Sequence, residues 1–220
     1  MSELTLVIGN KNYSSWSLRP WLFLKYHEIP FSEIKVSLYT DGYKEKIMRY
    51  SAAGKVPSLM DGDLTVWDSL SILEYLADKF PEKKGWPDTI KARAKARSIS
   101  AEMHSGFFNL RSEMPMNCRK VFGNFKPSEK AIQDIKRVRN IWSDCLNTYA
   151  ADGPWLFGRF SIADCMYAPV VTRFVTYGTS LSEQESQYVK TVKTHPAMVS
   201  WISAAKEESE IIASSEIDGY

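Results

Sequence analysis

Two apolar periodicities divide this chain near residue 81. Before that point short apolar runs take turns with segments of helical spacing, and after it helical spacing stands alone. Residues 4–8, LTLVI, read as a short buried strand, and the turn-forming loop GNKNYSSWS follows. Residues 18–26 read as a helix with Pro20 in its first turn, where a missing N–H costs little. Residues 31–38 alternate Phe31, Ile34, Val36 and Leu38 as a second strand, with a phase slip after Phe31. A β-α-β order this short predicts a parallel pair with a right-handed crossover. Residues 43–50 carry a weak helical pattern. Val56, Leu59 and Met60 then form a strand, Asp61-Gly62-Asp63 a tight turn, and residues 64–67 a further strand. Leu70, Leu73, Leu76 and Ala77 recur at helical intervals. The order β-α-β-α-β-β-α fits one mixed sheet with helices packed on it.

Residues 81–88, PEKKGWPD, are charged and carry Pro at both ends of the helix break, which predicts a linker. Helices are expected beyond it at 89–114, 128–150, 161–176 and 196–213, with GPWLFGRF as an ordered loop. The fold class is therefore α/β plus all-α: a thioredoxin-like N-terminal domain at 1–80, a linker at 81–88 and an all-helical domain at 89–220. With 44% hydrophobic residues in a chain of 220, both parts can bury a core.

Charge and cysteine usage exclude several function classes. Lys and Arg number 28 against 26 Asp and Glu, a formal +2, so no strongly basic face points to nucleic acid. No apolar run nears the roughly 20 residues that cross a bilayer, and the N-terminus lacks a signal-peptide pattern. Cys118, Cys145 and Cys165 are widely spaced, odd in number, and remote from His27, His104 and His195. Neither a disulfide framework nor a metal site is expected, and a reducing, cytoplasmic setting is.

Three clusters carry chemistry. Tyr13-Ser14-Ser15-Trp16-Ser17-Leu18-Arg19 sits where a strand ends and a helix begins. A helix N-terminus offers unpaired N–H groups and about half a positive charge, so a serine there can cap the helix or donate to a bound anion. Lys55-Val56-Pro57 enters a strand, where a cis Val56–Pro57 bond would leave the Val56 backbone free for a peptide-like ligand. Asp68-Ser69 precedes the next helix, either as its cap or as a grip in which Ser69 holds a carboxylate and Asp68 an ammonium.

In this order the three clusters resemble a glutathione transferase, and the likeness runs over essentially the whole chain. Ser161-Ile162-Ala163-Asp164 is similar to the Ser/Thr-x-x-Asp capping box of the family's helical domain. The Ser14 to Arg19 spacing is similar to the zeta-class Ser-Ser-Cys-x-x-Arg and tau-class Ser-Pro-x-x-x-Arg patterns, with Trp16 in place of the zeta cysteine. The resemblance implies a glutathione site, with Ser14 at the sulfur and Ser15 as the alternative register. Tyr13 is a minor competitor, and Arg19 an indirect support. Lys55, Val56, Pro57, Asp68 and Ser69 would bind the tripeptide. Trp16, His104, Phe107, Phe108 and Arg111 would line the electrophile pocket, with Met116 and Asn117 beside them.

The implied reaction is conjugation of the glutathione thiolate to small hydrophobic electrophiles. A zeta-like maleyl isomerase and a noncatalytic glutathione-binding module are the alternatives. A homodimer is expected from the same resemblance.

Overall fold

The computed structural model describes residues 3–217. Its four-stranded sheet has the order β2-β1-β3-β4. The central β1 (Leu4–Ile8) pairs in parallel with β2 (Phe31–Lys35), Leu4 opposite Phe31 and Ile8 opposite Lys35. On its other side β1 pairs antiparallel with β3 (Ser58–Asp61), which turns at Gly62 into β4 (Leu64–Trp67). The β2 strand stops at Lys35, short of the expected residue 38, because β1 offers only five residues to pair with. Val36 adds one last bond, its N–H donating to Ile8 O at 2.9 Å.

Alternation sorts the strand side chains onto two faces. Leu4, Leu6, Ile8 and Leu59 are buried in the main core with α1 (Ser15–Tyr26) and α3 (Ser69–Lys79). Val7, Val36 and Ile47 form a smaller core beneath α2 (Tyr43–Met48). The first helix starts three residues before the expected position 18, so Pro20 falls inside it. The linker does not swing free. Pro81–Lys83 forms a 3-10 turn, and buried Trp86 donates its indole N–H to Glu74 Oε2 at 2.9 Å.

The helical part departs from the sequence pattern in three places. The segment expected as one helix over 89–114 is two, α4 (Ile90–Ser105) and α5 (Phe108–Glu113). Gly106 permits the break, since a Cβ there would sit 2.7 Å from Glu102 O, and Phe107 adopts φ 56°. Asp134 Oδ2, on the long α6 (Glu129–Tyr149), accepts the Leu110 N–H at 3.0 Å and secures the new helix start. A helix that the apolar pattern did not reveal, α8 (Glu183–Thr194), lies between α7 (Ile162–Thr176) and α9 (Pro196–Glu207). The last helix ends at Glu207 rather than residue 213. The chain then runs back toward the sheet with one 3-10 turn at Ala213–Ser215.

The buried α7 is the centre of the helical part, and one apolar core joins it to α1 and α4. Trp21 and Trp201 meet edge to face at 5.0 Å between α1 and α9. Asp164 closes the capping box of α7. It is fully buried and accepts from Ser161 N (2.9 Å), Leu156 N (3.1 Å) and Tyr188 Oη (3.1 Å). Burial pushes its carboxyl up to about 6 against the pull of these donors. Asp164→Ala should therefore strand several buried donors and cost about 3 kcal/mol or more. A urea melt will read this as a lower midpoint, with Asp164→Asn intermediate; an unchanged midpoint would contradict the role given to this carboxylate.

Candidate functional site

The site is built on the loop between β1 and α1. Gly9 lets the chain pass tightly: a Cβ there would fall 2.6 Å from Leu38 Cδ1 and 3.2 Å from Ser14 Cβ. Asn10 holds both ends, its Oδ1 accepting from Leu38 N at 2.8 Å and its backbone O from Ser14 N at 2.8 Å. Lys11 N and Asn12 N donate to the Glu208 carboxylate at 2.8 and 3.0 Å. The Cys118 N–H donates to Asn12 Oδ1 at 2.8 Å. A short polar loop is thus pinned by three distant segments.

Ser14 is the N-cap of α1, and its Oγ accepts from Ser17 N at 3.4 Å. It also bonds Ser17 Oγ at 2.7 Å, and Ser17 Oγ accepts from Gly9 N at 3.1 Å. Either hydroxyl of this pair can donate to the other, because an O–H rotates. With Ser17 as donor, the Ser14 proton is free to point into the cleft. Ser15 opens the first turn beside it.

That cleft has a volume of about 570 Å³. It gathers Ser14, Ser15 and Trp16 from α1, Lys55 and Val56 from the approach to β3, and Phe108 and Arg111 from α5. Val56–Pro57 is cis, and Val56 lies ahead of the ladder to β1, which begins at Ser58. Its backbone groups are therefore outside the sheet. A larger cavity of about 790 Å³, lined by Tyr26, His27, Trp155 and Phe160, contains none of these residues.

The other expected site residues stand apart from the cleft lining. Ser69 is buried, and its Oγ accepts from Arg19 Nη1 at 3.1 Å, which leaves its proton to donate. Asp68 caps α3, with Oδ1 accepting from Leu70 N (2.9 Å) and Ser71 N (3.2 Å). Its Oδ2 meets His104 Nε2 at 2.6 Å. Burial pulls the Asp68 carboxyl upward, but the His104 bond and the two helix N–H groups prevail and hold it below its usual range. His104 thus braces Asp68 and packs its ring on Trp16 at 5.4 Å, rather than lining the cleft. Phe107 is only 7% exposed and belongs to the core, whereas its neighbour Phe108 is 71% exposed. The break before α5 turns the two rings apart.

Two contributors escaped the sequence reading, Arg173 and the chain's last segment. Arg173, a lone cation in the apolar run of α7, reaches the cleft from below. Its isolation in that run was the available signal. Ile212, Ser214 and Ser215 close the cleft from the chain's last segment, which has no periodicity to betray it. Tyr13 is bound to that segment. Its hydroxyl donates to Glu216 at 2.5 Å and accepts from Arg119 Nη2 at 2.7 Å, so it is committed away from a ligand.

The protein's own thiols are disfavoured as thiolates. Burial pushes both Cys118 and Cys145 up to about 12, and Cys165 well above its usual value. Among the described residues no cluster of three or more His, Cys, Asp or Glu is placed to hold a metal, and no helix is long and apolar enough to cross a membrane.

Residues 13–79 match the family description "Glutathione S-transferase, N-terminal domain", and residues 133–203 match "Glutathione S-transferase, C-terminal domain". A stringent starvation protein A homologue from Pasteurella multocida is 25% identical over 146 residues, 66% of this chain and 65% of that protein. The chain spans just under two thirds of the length of that relative. Glutathione S-transferase theta-2 from Homo sapiens is 27% identical over 173 residues, 74% of this chain and 69% of that one. The fold matches a Burkholderia glutathione transferase homologue with bound glutathione at a TM-score of 0.70 and 21% identity, covering 93% of this chain and 98% of that one.

The bonds of Tyr13 generate a prediction. Tyr13→Phe should remove one of the bonds that hold the last segment, beside those of Asn117 and Lys120 to Glu216, and speed hydrogen exchange of the amides at 212–216 by about tenfold, the scale of one charged hydrogen bond. Unchanged exchange there would show that the segment is held by other contacts.

Proposed function

The chain belongs to the glutathione S-transferase family, and on that premise we propose that it is a glutathione transferase whose thiolate is stabilised by Ser14. One observation carries the reading: the Ser14 pair at the start of α1 and the Lys55–Val56 stretch before β3 share one cleft. A tripeptide laid across it would meet Lys55 and the Val56 backbone within the cleft and extend past its lining to Asp68 and Ser69 at the start of α3. Lys55 answers the glycine carboxylate and the Val56 backbone the cysteinyl amide. The Ser69 hydroxyl answers the γ-glutamyl carboxylate and Asp68 the ammonium. Pro57 shapes this approach through its cis bond. The sulfur then falls at Ser14.

The chemistry required there is modest. A free thiol ionises near pH 8.5, and lowering that by about two units takes about 2.7 kcal/mol. A charge-assisted hydrogen bond supplies roughly 1.5–3 kcal/mol, and the positive end of α1 adds to it. The Ser17 hydroxyl, donating to Ser14 Oγ, would orient the Ser14 proton toward the sulfur. The thiolate attacks an electrophile held against α5 and the last segment. Because the nucleophile belongs to glutathione, neither a catalytic histidine nor a protein thiol is needed.

A noncatalytic glutathione-binding module is the second reading, favoured by the relatives named as stringent starvation protein A homologues. A homodimer in the cytoplasm belongs to both readings; exposed Leu64 and Trp67 on the edge strand β4 are available to an interface.

Ser14→Ala should cut turnover of a generic aryl halide by about tenfold to several hundredfold while glutathione binding stays nearly intact. The pH profile of the rate should move upward, because the thiol ionises later. Ser15→Ala should do less. A damaging Ser15→Ala beside a silent Ser14→Ala would shift the register by one. Silence in both would remove the serine mechanism, and wild-type binding without turnover would favour the noncatalytic reading.

A further inference from the structure

In and around the cleft lies more positive charge than the protein neutralises, with Arg111 on α5, Arg173 on α7 and Arg19 on α1. Arg19 and Arg173 are 1% and 4% exposed, and Arg111 is partly buried. Among the described residues none of the three forms an ion pair with a carboxylate. Their hydrogen bonds go to neutral oxygens. Arg19 donates to Ser69 Oγ, Arg173 to Met114 O (2.7 Å) and Pro169 O (3.3 Å), and Arg111 to His104 O (3.4 Å). The Nε atoms of Arg19 and Arg111 are buried and find no partner among protein atoms.

The carboxylates within electrostatic reach are already committed. Asp68 is bound to His104 and the α3 N-terminus, and Asp134 to Leu110 N and Asn109 Nδ2. Burial, together with the neighbouring Arg173 and Arg111 charges, lowers Arg19 to about 9. Burial lowers Arg173 to about 10, with Arg111 adding to the effect. Trp16 gathers two of these cations, with Arg19 Cζ 4.2 Å and Arg111 Cζ 5.4 Å from its ring centroid. Cation–ring contacts offset part of the burial cost but leave the charge in place.

A buried cation without a counterion is costly, and an anion that pairs with it recovers that cost. Arg111 and Arg173 line the cleft, whereas Arg19 sits behind Trp16. The thiolate belongs at the opposite, α1 side. A neutral apolar acceptor over Arg111 would bury that guanidinium further with no partner, so the same arrangement disfavours it.

From this geometry we propose that the cleft selects electrophiles bearing a carboxylate, which Arg111 binds directly and Arg173 supports from behind. Phe108 supplies the apolar wall for the remaining skeleton. The proposal rests on the transferase reading of the same cleft and names its substrate class.

A matched pair tests it: 4-chloro-3-nitrobenzoate and its methyl ester. In each the glutathione thiolate forms a C–S bond to the ring carbon, the C–Cl bond breaks and chloride leaves; the thiol proton goes to buffer. Each kcat/KM is divided by its own uncatalysed rate. The wild type should favour the carboxylate over the ester by at least tenfold. Arg111→Gln should lower that preference by at least tenfold, and Arg111→Lys should restore part of it. Equal preference in the wild type, or equal slowing of both substrates in Arg111→Gln, would overturn the proposal. A calorimetric arm on the full chain uses unreactive 3-nitrobenzoate and its methyl ester. The same tenfold preference in Kd, lost in a folded Arg111→Gln, supports the carboxylate site even if neither halide is turned over, in which case the transferase reading alone fails. Equal Kd values overturn the proposal.

Discussion

The Glu208 carboxylate holds the Ser14 loop in place, and the rest of the site depends on that grip. It accepts the N–H groups of Lys11 and Asn12 across nearly two hundred residues of sequence and lies within 3.4 Å of Lys35 Nζ. Hydrogen bonds to a charged acceptor are worth roughly 1.5–3 kcal/mol each, which offsets a large part of the entropy lost in ordering the polar loop. Once the loop is set, Asn10 fixes the Ser14 amide and Gly9 N fixes Ser17 Oγ. The cap of α1 and the direction of its positive end follow. The end of the helical domain thereby positions a group at the end of the first strand.

The two sides of the cleft then take different parts. The α1 side offers hydroxyls and a helix terminus, which favour a small anion. The α5 side offers full guanidinium charges on a wall that includes Phe108 and Met116. Burial pushes the thiols of Cys118 and Cys145 up to about 12, so the proposed transfer draws its nucleophile from glutathione rather than from the chain. Asp68 links the two sides, capping α3 while bracing His104, whose ring steadies Trp16.

What the sequence revealed was local. The Val-Pro before β3, the Asp-Ser before α3 and the Ser161–Asp164 box each act within four residues, so their chemistry is visible in a short window. The parallel β1–β2 pair and the β3–β4 hairpin were legible for the same reason, since they follow from alternation and the Asp-Gly turn, whereas the pairing of β3 with β1 was not. Features set at long range were not legible. The break at Gly106–Phe107 is completed by Asp134 of a different helix, so the window 89–114 looks continuous on its own. The amphipathic stripe of α8 is short, and its buried Glu185 pairs with Arg139 of α6, which sequence alone reads as surface charge. His104 lies on a helix expected to line the pocket, yet the proximity of Asp68 turns it inward.

If this cleft ionises a bound thiol as proposed, proton release on binding measures that directly. Calorimetric titration of glutathione near pH 7, in buffers of different ionisation enthalpy, gives the number of protons released. The control is the analogue in which a methyl group replaces the cysteinyl SH. Release of most of one proton is expected with glutathione and none with the analogue, since a thiol whose pKa falls about two units below 8.5 is largely ionised at that pH. Equal proton uptake or release for the two ligands would contradict it.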